Sequence, residues 1–321
     1  MPMDLRRTAC FRLDGQKRFV RATIAILTAS LLLVGRAHAE NIFGGDEGKF
    51  LLTAGFSDLE GSGGGGLVPL AFITGYGSNQ SWGANAHFTS ILLPDYHIDA
   101  YGIAAGLFDR VELSYTAQKL NVVGTALNGL GIRQNVFGLK IKLVGDAVYS
   151  QGSWLPQVAA GADYKHNEGI SNASQVGLPG LVSPVQLGAR SEHAPDYYLA
   201  ATKVLLSQSV VVNLVLRETK DNEFGLLGFG GDLRSGYSFH PEATIAYLLT
   251  RKLALGAEIR SAPRNLSVDD QTNAWDVFAA WAPIKNLSLV AAYLNLGSVL
   301  APVTGVGRHQ DGLYLSVQAG F

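Results

Sequence analysis

The chain has 321 residues, of which 47% are hydrophobic and 16% charged, with 38 Gly, 11 Pro and one Cys. So few charges with so much Gly exclude a disordered tail, a coiled coil and a typical helical domain. Of the 25 Lys/Arg and 26 Asp/Glu, seven and two fall in residues 1–39. The remainder carries 18 basic and 24 acidic residues, a net of about −6, which argues against nucleic acid as a partner.

The N-terminus has the layout of a secretory signal peptide. Arg6, Arg7, Arg12, Lys17, Arg18 and Arg21 precede an apolar run from Ala22 to Val34, and Ala37-His38-Ala39 supplies a small-x-small cleavage pattern. The run is about 13 residues, short of the roughly 20 that a spanning helix needs. The leader ahead of it is long, and translation from Met3 or later fits the pattern as well. Cleavage after Ala39 leaves residues 40–321 and removes Cys10, the only cysteine. Disulfides, Cys–metal sites and a Cys nucleophile are then excluded.

Beyond the leader, alternation of period two recurs over stretches of about ten residues, as in tilted strands that cross a bilayer. Val111, Leu113, Tyr115 and Ala117 alternate with Glu112, Ser114, Thr116 and Gln118. Phe137, Leu139, Ile141 and Leu143 oppose Gln134, Lys140 and Lys142; Leu253, Leu255, Ala257 and Ile259 oppose Glu258 and Arg260. Strands are expected to begin near Lys49, Leu67, Trp82, Tyr96, Val111, Ile132, Trp154, Tyr197, Ser209, Phe239, Leu253, Ala274, Leu287 and Gly312. That makes about fourteen, within a range of 12–16, in an all-β, antiparallel up-and-down transmembrane barrel.

Connections alternate between short and long. Asp109-Arg110, Ser207-Gln208, Thr250–Lys252 and Pro283–Asn286 are short; 121–131, 167–195, 220–237, 263–273 and 297–310 are long. This is the arrangement of short periplasmic turns and long outer loops, with both termini periplasmic. Gly63–Gly66 lacks the Lys-Ser/Thr ending of a phosphate-binding loop and reads as a flexible loop between the first two strands. Phe224–Asp232 is an apolar, Gly-rich outer loop that either folds into the barrel mouth or forms a short extra strand. Trp82, Tyr96, Trp154, Tyr197, Tyr237, Trp275 and Tyr314 lie near strand ends, which suits interfacial girdles.

The last strand is the most specific. Leu313, Leu315, Val317, Ala319 and Phe321 share one face. An alternating strand ending in an aromatic residue resembles the C-terminal signal that the barrel-assembly machinery reads in outer-membrane barrels, which assigns that role to Phe321.

With apolar faces toward lipid, the opposite faces line the lumen. The inward set is Asn85, His87, His97, Asp99, Glu112, Gln118, Lys140, Lys142, Asp163, Lys165, Lys203, Asn213, Arg217, Glu258, Arg260 and Asp276. The two signs nearly balance. A single-sign ring would indicate ion selectivity. Balance indicates a lumen partly filled and crossed by ion pairs, or a narrow pore with weak selectivity. His87 and His97 lie on adjacent strands with Asp99 beyond them. Their spacing is not that of a metal site, no third strong ligand stands out, and they read as lumenal hydrogen-bonding residues. No G-x-S-x-G elbow or H-E-x-x-H motif is present, so no enzyme, metal or cofactor is expected.

The segments FGLLGFGGD (224–232), DAYGIAAGLFDRVELSY (99–115), NVFGLKIKLVGDAVY (135–149), WLPQVAAGADYK (154–165) and WAPIKNLSL (281–289) resemble a proteobacterial family, domain of unknown function 3034. The resemblance runs from about Lys49 to Phe321. It implies an outer-membrane barrel without an assigned activity and carries no site residue. Together these features lead us to expect a Gram-negative outer-membrane barrel, in contact with membrane lipid, that passes small solutes as a passive channel or transporter. The alternatives are a plugged or surface-binding barrel acting through its outer loops, and a barrel enzyme.

Overall fold

A computed structural model describes Lys49, residues 51–300, Gly307 and residues 309–321. The expected signal peptide lies outside the described residues. Twelve antiparallel strands close into one barrel. They are β1 (Trp82–Leu92), β2 (Tyr96–Leu107), β3 (Val111–Val122), β4 (Gly131–Val144), β5 (Gln157–Ser171), β6 (His193–Leu205), β7 (Val210–Thr219), β8 (Ser238–Leu248), β9 (Leu253–Arg260), β10 (Ala274–Ile284), β11 (Leu287–Asn295) and β12 (Asp311–Gly320). Each strand pairs with its chain neighbours, and β12 closes the ring on β1 from Asn85↔Gly320 to Leu92↔Leu313.

The outward faces are apolar, as a bilayer requires of the residues it touches. Ile103, Leu113, Phe137, Leu139, Leu214, Ile245, Val277 and Leu315 are all exposed. Among the described residues no helix is long and apolar enough to cross a membrane. The barrel has a turn end, carrying residues 108–110, 145–156, 206–209, 249–252 and 285–286 together with Phe321. Its loop end carries 123–130, 172–192, 220–237, 261–273 and 296–300, along with the short 93–95 turn.

The count of about fourteen strands is corrected to twelve. The segments beginning near Lys49 and Leu67 are not in the wall. Leu51–Ala54 is a single helical turn, α1. Residues 54–76 run up the lumen and back, bridged internally at Ser57↔Gly63 and Gly64↔Pro69. All of them are buried except the partly buried Gly65. Barrel width explains why they fit. Eight strands enclose only their own side chains, whereas sixteen leave an aqueous channel. Twelve leave room for an extra piece of chain, and residues 54–76 are that piece. We call it the plug.

The glycine run is therefore not a flexible loop between strands; it lies inside the barrel. Of the expected girdle aromatics, Trp82, Trp154, Tyr197 and Trp275 are exposed, but Tyr96 and Tyr314 point inward and are buried. Tyr96 Oη donates to Val299 O at 3.0 Å.

Candidate functional site

The site is the contact between the plug and the inner wall, and it is built largely from polar wall side chains that bind plug backbone. A plug without regular secondary structure leaves its N–H and C=O groups unpaired inside the barrel, and buried backbone groups need partners. The wall provides them. Gly66, Leu67 and Val68 N–H donate to Glu258 Oε2 at 2.9, 2.6 and 3.3 Å, and Thr244 Oγ1 donates to the other carboxylate oxygen at 2.9 Å. Consecutive amides converging on one anion form a backbone nest. The glycine run thus does lead into an anion site, and the anion is the barrel's own carboxylate. A Cβ at Gly65 would overlap that carboxylate.

A second anchor lies nearer the turn end. Glu112 accepts from Gly63 N–H at 2.8 Å and Thr74 N–H at 2.7 Å, and it pairs with Lys140 at 3.1 Å. Lys140 Nζ donates in turn to Gly63 O and Leu70 O. Around these anchors Gln118 donates to Leu59 O, Asn213 to Pro69 O and Gln157 to Ala71 O, while Thr202 accepts from Ala71 N–H. Gln318 both accepts from Ser57 N–H and donates to Ser57 O.

The plug tip ends in a buried ion network. Glu60 meets Arg260 at 2.8 Å and Arg217 at 3.5 Å, and it pairs closely with Lys165. Lys165 also binds Asp196 at 2.6 Å and Asp221 at 2.8 Å; Arg217 binds Asp163 at 3.2 Å and Glu242 at 2.6 Å. Glu60, Asp196 and Asp221 have the spacing of a metal site among the described residues. The Lys165 ammonium contacts all three and supplies the positive charge there. Ions this buried are tolerated only when paired and hydrogen-bonded.

The network also holds the loop end shut. Asp221 lies at the start of the 220–237 loop, next to Lys220, and the loop's Glu223–Gly225 turn lies in the mouth. Gln134 donates to Phe224 O at 2.9 Å, Asn167 to Leu226 O at 2.8 Å, and the Arg260 guanidinium sits 4.5 Å over the Phe224 ring. Phe224–Asp232 is thus the mouth constriction, with no extra barrel strand. Beside it Asp269 accepts from Leu300 N–H at 2.8 Å. Burial, followed by the nearby Asp269 charge, pushes the Glu223 carboxyl well up. Burial raises Asp269 to about 6.

Of the residues expected to line the lumen, His87, Glu112, Lys140, Lys142, Asp163, Lys165, Arg217, Glu258 and Arg260 lie on inward faces. Lys142 stays at the turn end, paired with Asp109 at 2.6 Å; Asp109 also holds Lys49. His97, Asp99 and Lys203 are corrected: they lie on outward faces, in phase with exposed Tyr101 and Ile103 on β2 and with Tyr197 and Leu199 on β6. His87 and His97 are therefore on opposite sides of the wall. The reason is positional. Toward the strand ends the outward face leaves the hydrocarbon and becomes polar, while the inward face packs under loops or plug and becomes apolar. Asp99 accepts from Ser90 Oγ at 2.7 Å, and Lys203 caps the 145–156 connection by donating to Ser150 O at 2.8 Å. Glu60, Asp196, Asp221 and Glu242 were missed. Asp196 and Glu242 sit at alternating strand positions, which was a usable signal; Glu60 and Asp221 lie in irregular chain, which gives none.

A family model described as "Protein of unknown function (DUF3034)" matches residues 53–318. No curated protein matches the chain. Solved structures similar to it include the KdgM porin, at 11% identity and a TM-score of 0.44 over 74% of this chain and 99% of that one. The COG4313 outer membrane channel from Pseudomonas putida F1 matches at 10% and 0.43, over 79% and 96%. Acinetobacter baumannii Omp33 matches at 9% and 0.38, over 76% and 99%. No pore, substrate or activity is carried over from them.

Proposed function

The chain belongs to the family of proteins of unknown function DUF3034, and we propose that it acts in the outer membrane as a gated transporter, closed until its plug shifts. One observation carries this reading: residues 54–76 occupy the lumen, and the wall's polar side chains are engaged with their backbone. An open passive pore would present those side chains to water. Many hydrogen bonds join plug and wall, and water can replace bonds of this kind when the plug moves.

The test uses the chain's lack of cysteine beyond Cys10. Ala71 is fully buried in the plug. An Ala71→Cys variant, folded in lipid, should react slowly but measurably with a bulky polar maleimide, and faster when Glu258→Ala is added. Complete protection of the introduced thiol in both proteins would mean that the plug is a permanent stopper.

That second reading has an observation of its own, the docking of 220–231 over the loop end, which leaves the outer loops as the reactive surface. Under it, deletion of loop 172–192 would abolish function while the plug stayed protected. Neither reading includes catalysis; hydrolysis of lipid or peptide by the purified protein would contradict both. Recovery in the outer-membrane fraction as a heat-modifiable band is the expected fractionation result.

A further inference from the structure

The inner wall breaks its own rule in one sector. At the turn end of β6–β11 the inward positions Val204, Val211, Ala246, Leu248, Ala254 and Val290 are apolar, as are their outward neighbours apart from Lys203. Strands lining a watery lumen have no need of runs such as Val210-Val211-Val212 or Val204-Leu205-Leu206. Val204, Val211 and Leu248 border a cleft of about 440 Å³ that opens at the turn end between α1 and the wall, with Leu52 of α1 also in its lining. It shares Leu52, Val211 and Leu248 with a deeper apolar pocket that reaches Phe56, Phe278 and Val290. The volume is that of small-molecule sites, which are mostly apolar with a few polar groups fixing orientation. The polar groups are at the rim: Thr53, Ser209, Thr250 and Arg251. Among the described residues Arg251 has no carboxylate partner.

We propose that this cleft binds a single-chain anionic amphiphile of the fatty-acid class, with its carboxylate at Arg251 and its chain running inward past Val211 and Leu248. The charge at the rim selects an acid over an alcohol. The narrowing depth, closed by Phe56 and Phe278, selects one chain over two. Binding needs no movement of the plug, so it stands or falls apart from gating.

The full chain in phosphatidylcholine nanodiscs would be photolabelled with hexadecanoate bearing a diazirine, and the adducts mapped. Labelling of 204–211 and 248–254 at inward positions, competed by hexadecanoate roughly three- to tenfold better than by hexadecanol, is the expected result. Val211→Trp should fill the cleft and remove the inward adducts. Arg251→Gln, on an exposed turn, should leave the barrel heat-modifiable and erase the preference for acid over alcohol. Adducts confined to lipid-facing side chains, equal competition by acid and alcohol on the unaltered chain, or an unchanged preference in Arg251→Gln would each overturn the proposal.

Discussion

At the scale of single residues, Glu258 decides how the plug is held. Its carboxylate accepts from three consecutive plug amides that have no other partner. Each buried amide left without an acceptor costs about 1–3 kcal/mol. Glu258→Ala should therefore lower the temperature of the heat-modifiable gel shift and speed amide exchange at Gly66, Leu67 and Val68, with Glu258→Gln intermediate. Exchange at those amides unchanged in the alanine variant would mean that the nest is not their anchor. Gly65 is the complementary position, because any side chain there enters the same carboxylate. Gly65→Ala should cost about 1–3 kcal/mol by overpacking, read in the same gel-shift assay. Glu60 acts through charge. Its removal leaves Arg260, Arg217 and Lys165 short of a partner, and breaking a buried pair this way costs about 3–5 kcal/mol. Glu60→Ala should be more destabilising than Gly65→Ala in that assay. These roles were half legible. Alternation put Glu258 and Arg260 on the inner face, but it named them as pore lining because their backbone partners are far away in sequence.

At the scale of elements, the twelve wall strands were legible and the plug was not. Each wall strand carries a period-two pattern or a turn signal that the bilayer imposes from outside. Leu51–Ala54 and Leu67–Ile73 are apolar without alternation, and such short runs fit a buried strand and a buried coil equally well. They read as strands because nothing in their composition says that the surrounding surface is protein. The 220–237 loop makes a prediction of its own. Glu223 and Asp269 are both raised by burial, Asp269 to about 6, against roughly 4 in an unfolded chain. A carboxyl raised by folding stabilises the docked loop while it stays protonated. That contribution is complete below about pH 4 and is lost as pH rises through 6. Amide exchange in 221–231, corrected for intrinsic rate, should be slower at pH 5 than at pH 7.5. The reverse order would show that these carboxyls are not protonated together in the docked loop.

At the scale of the whole molecule, the barrel is sealed in layers. The mouth is covered by the 220–237 loop, the middle is crossed by the ion network around Glu60, and the turn end holds an apolar cleft beside α1. The near balance of inward charge indicated either ion pairs across a filled lumen or a weakly selective pore, and the structure has the filled lumen. What the balance did not reveal was the filler, since Glu60 supplies its charge from outside the strand pattern. The central claim is that residues 54–76 close the barrel, and ion flow tests it most directly. In planar bilayers the intact chain should insert without sustained conductance, and the same chain lacking residues 55–76 should open a steady pore. A steady conductance from the intact chain, equal to that of the shortened one, would contradict the account.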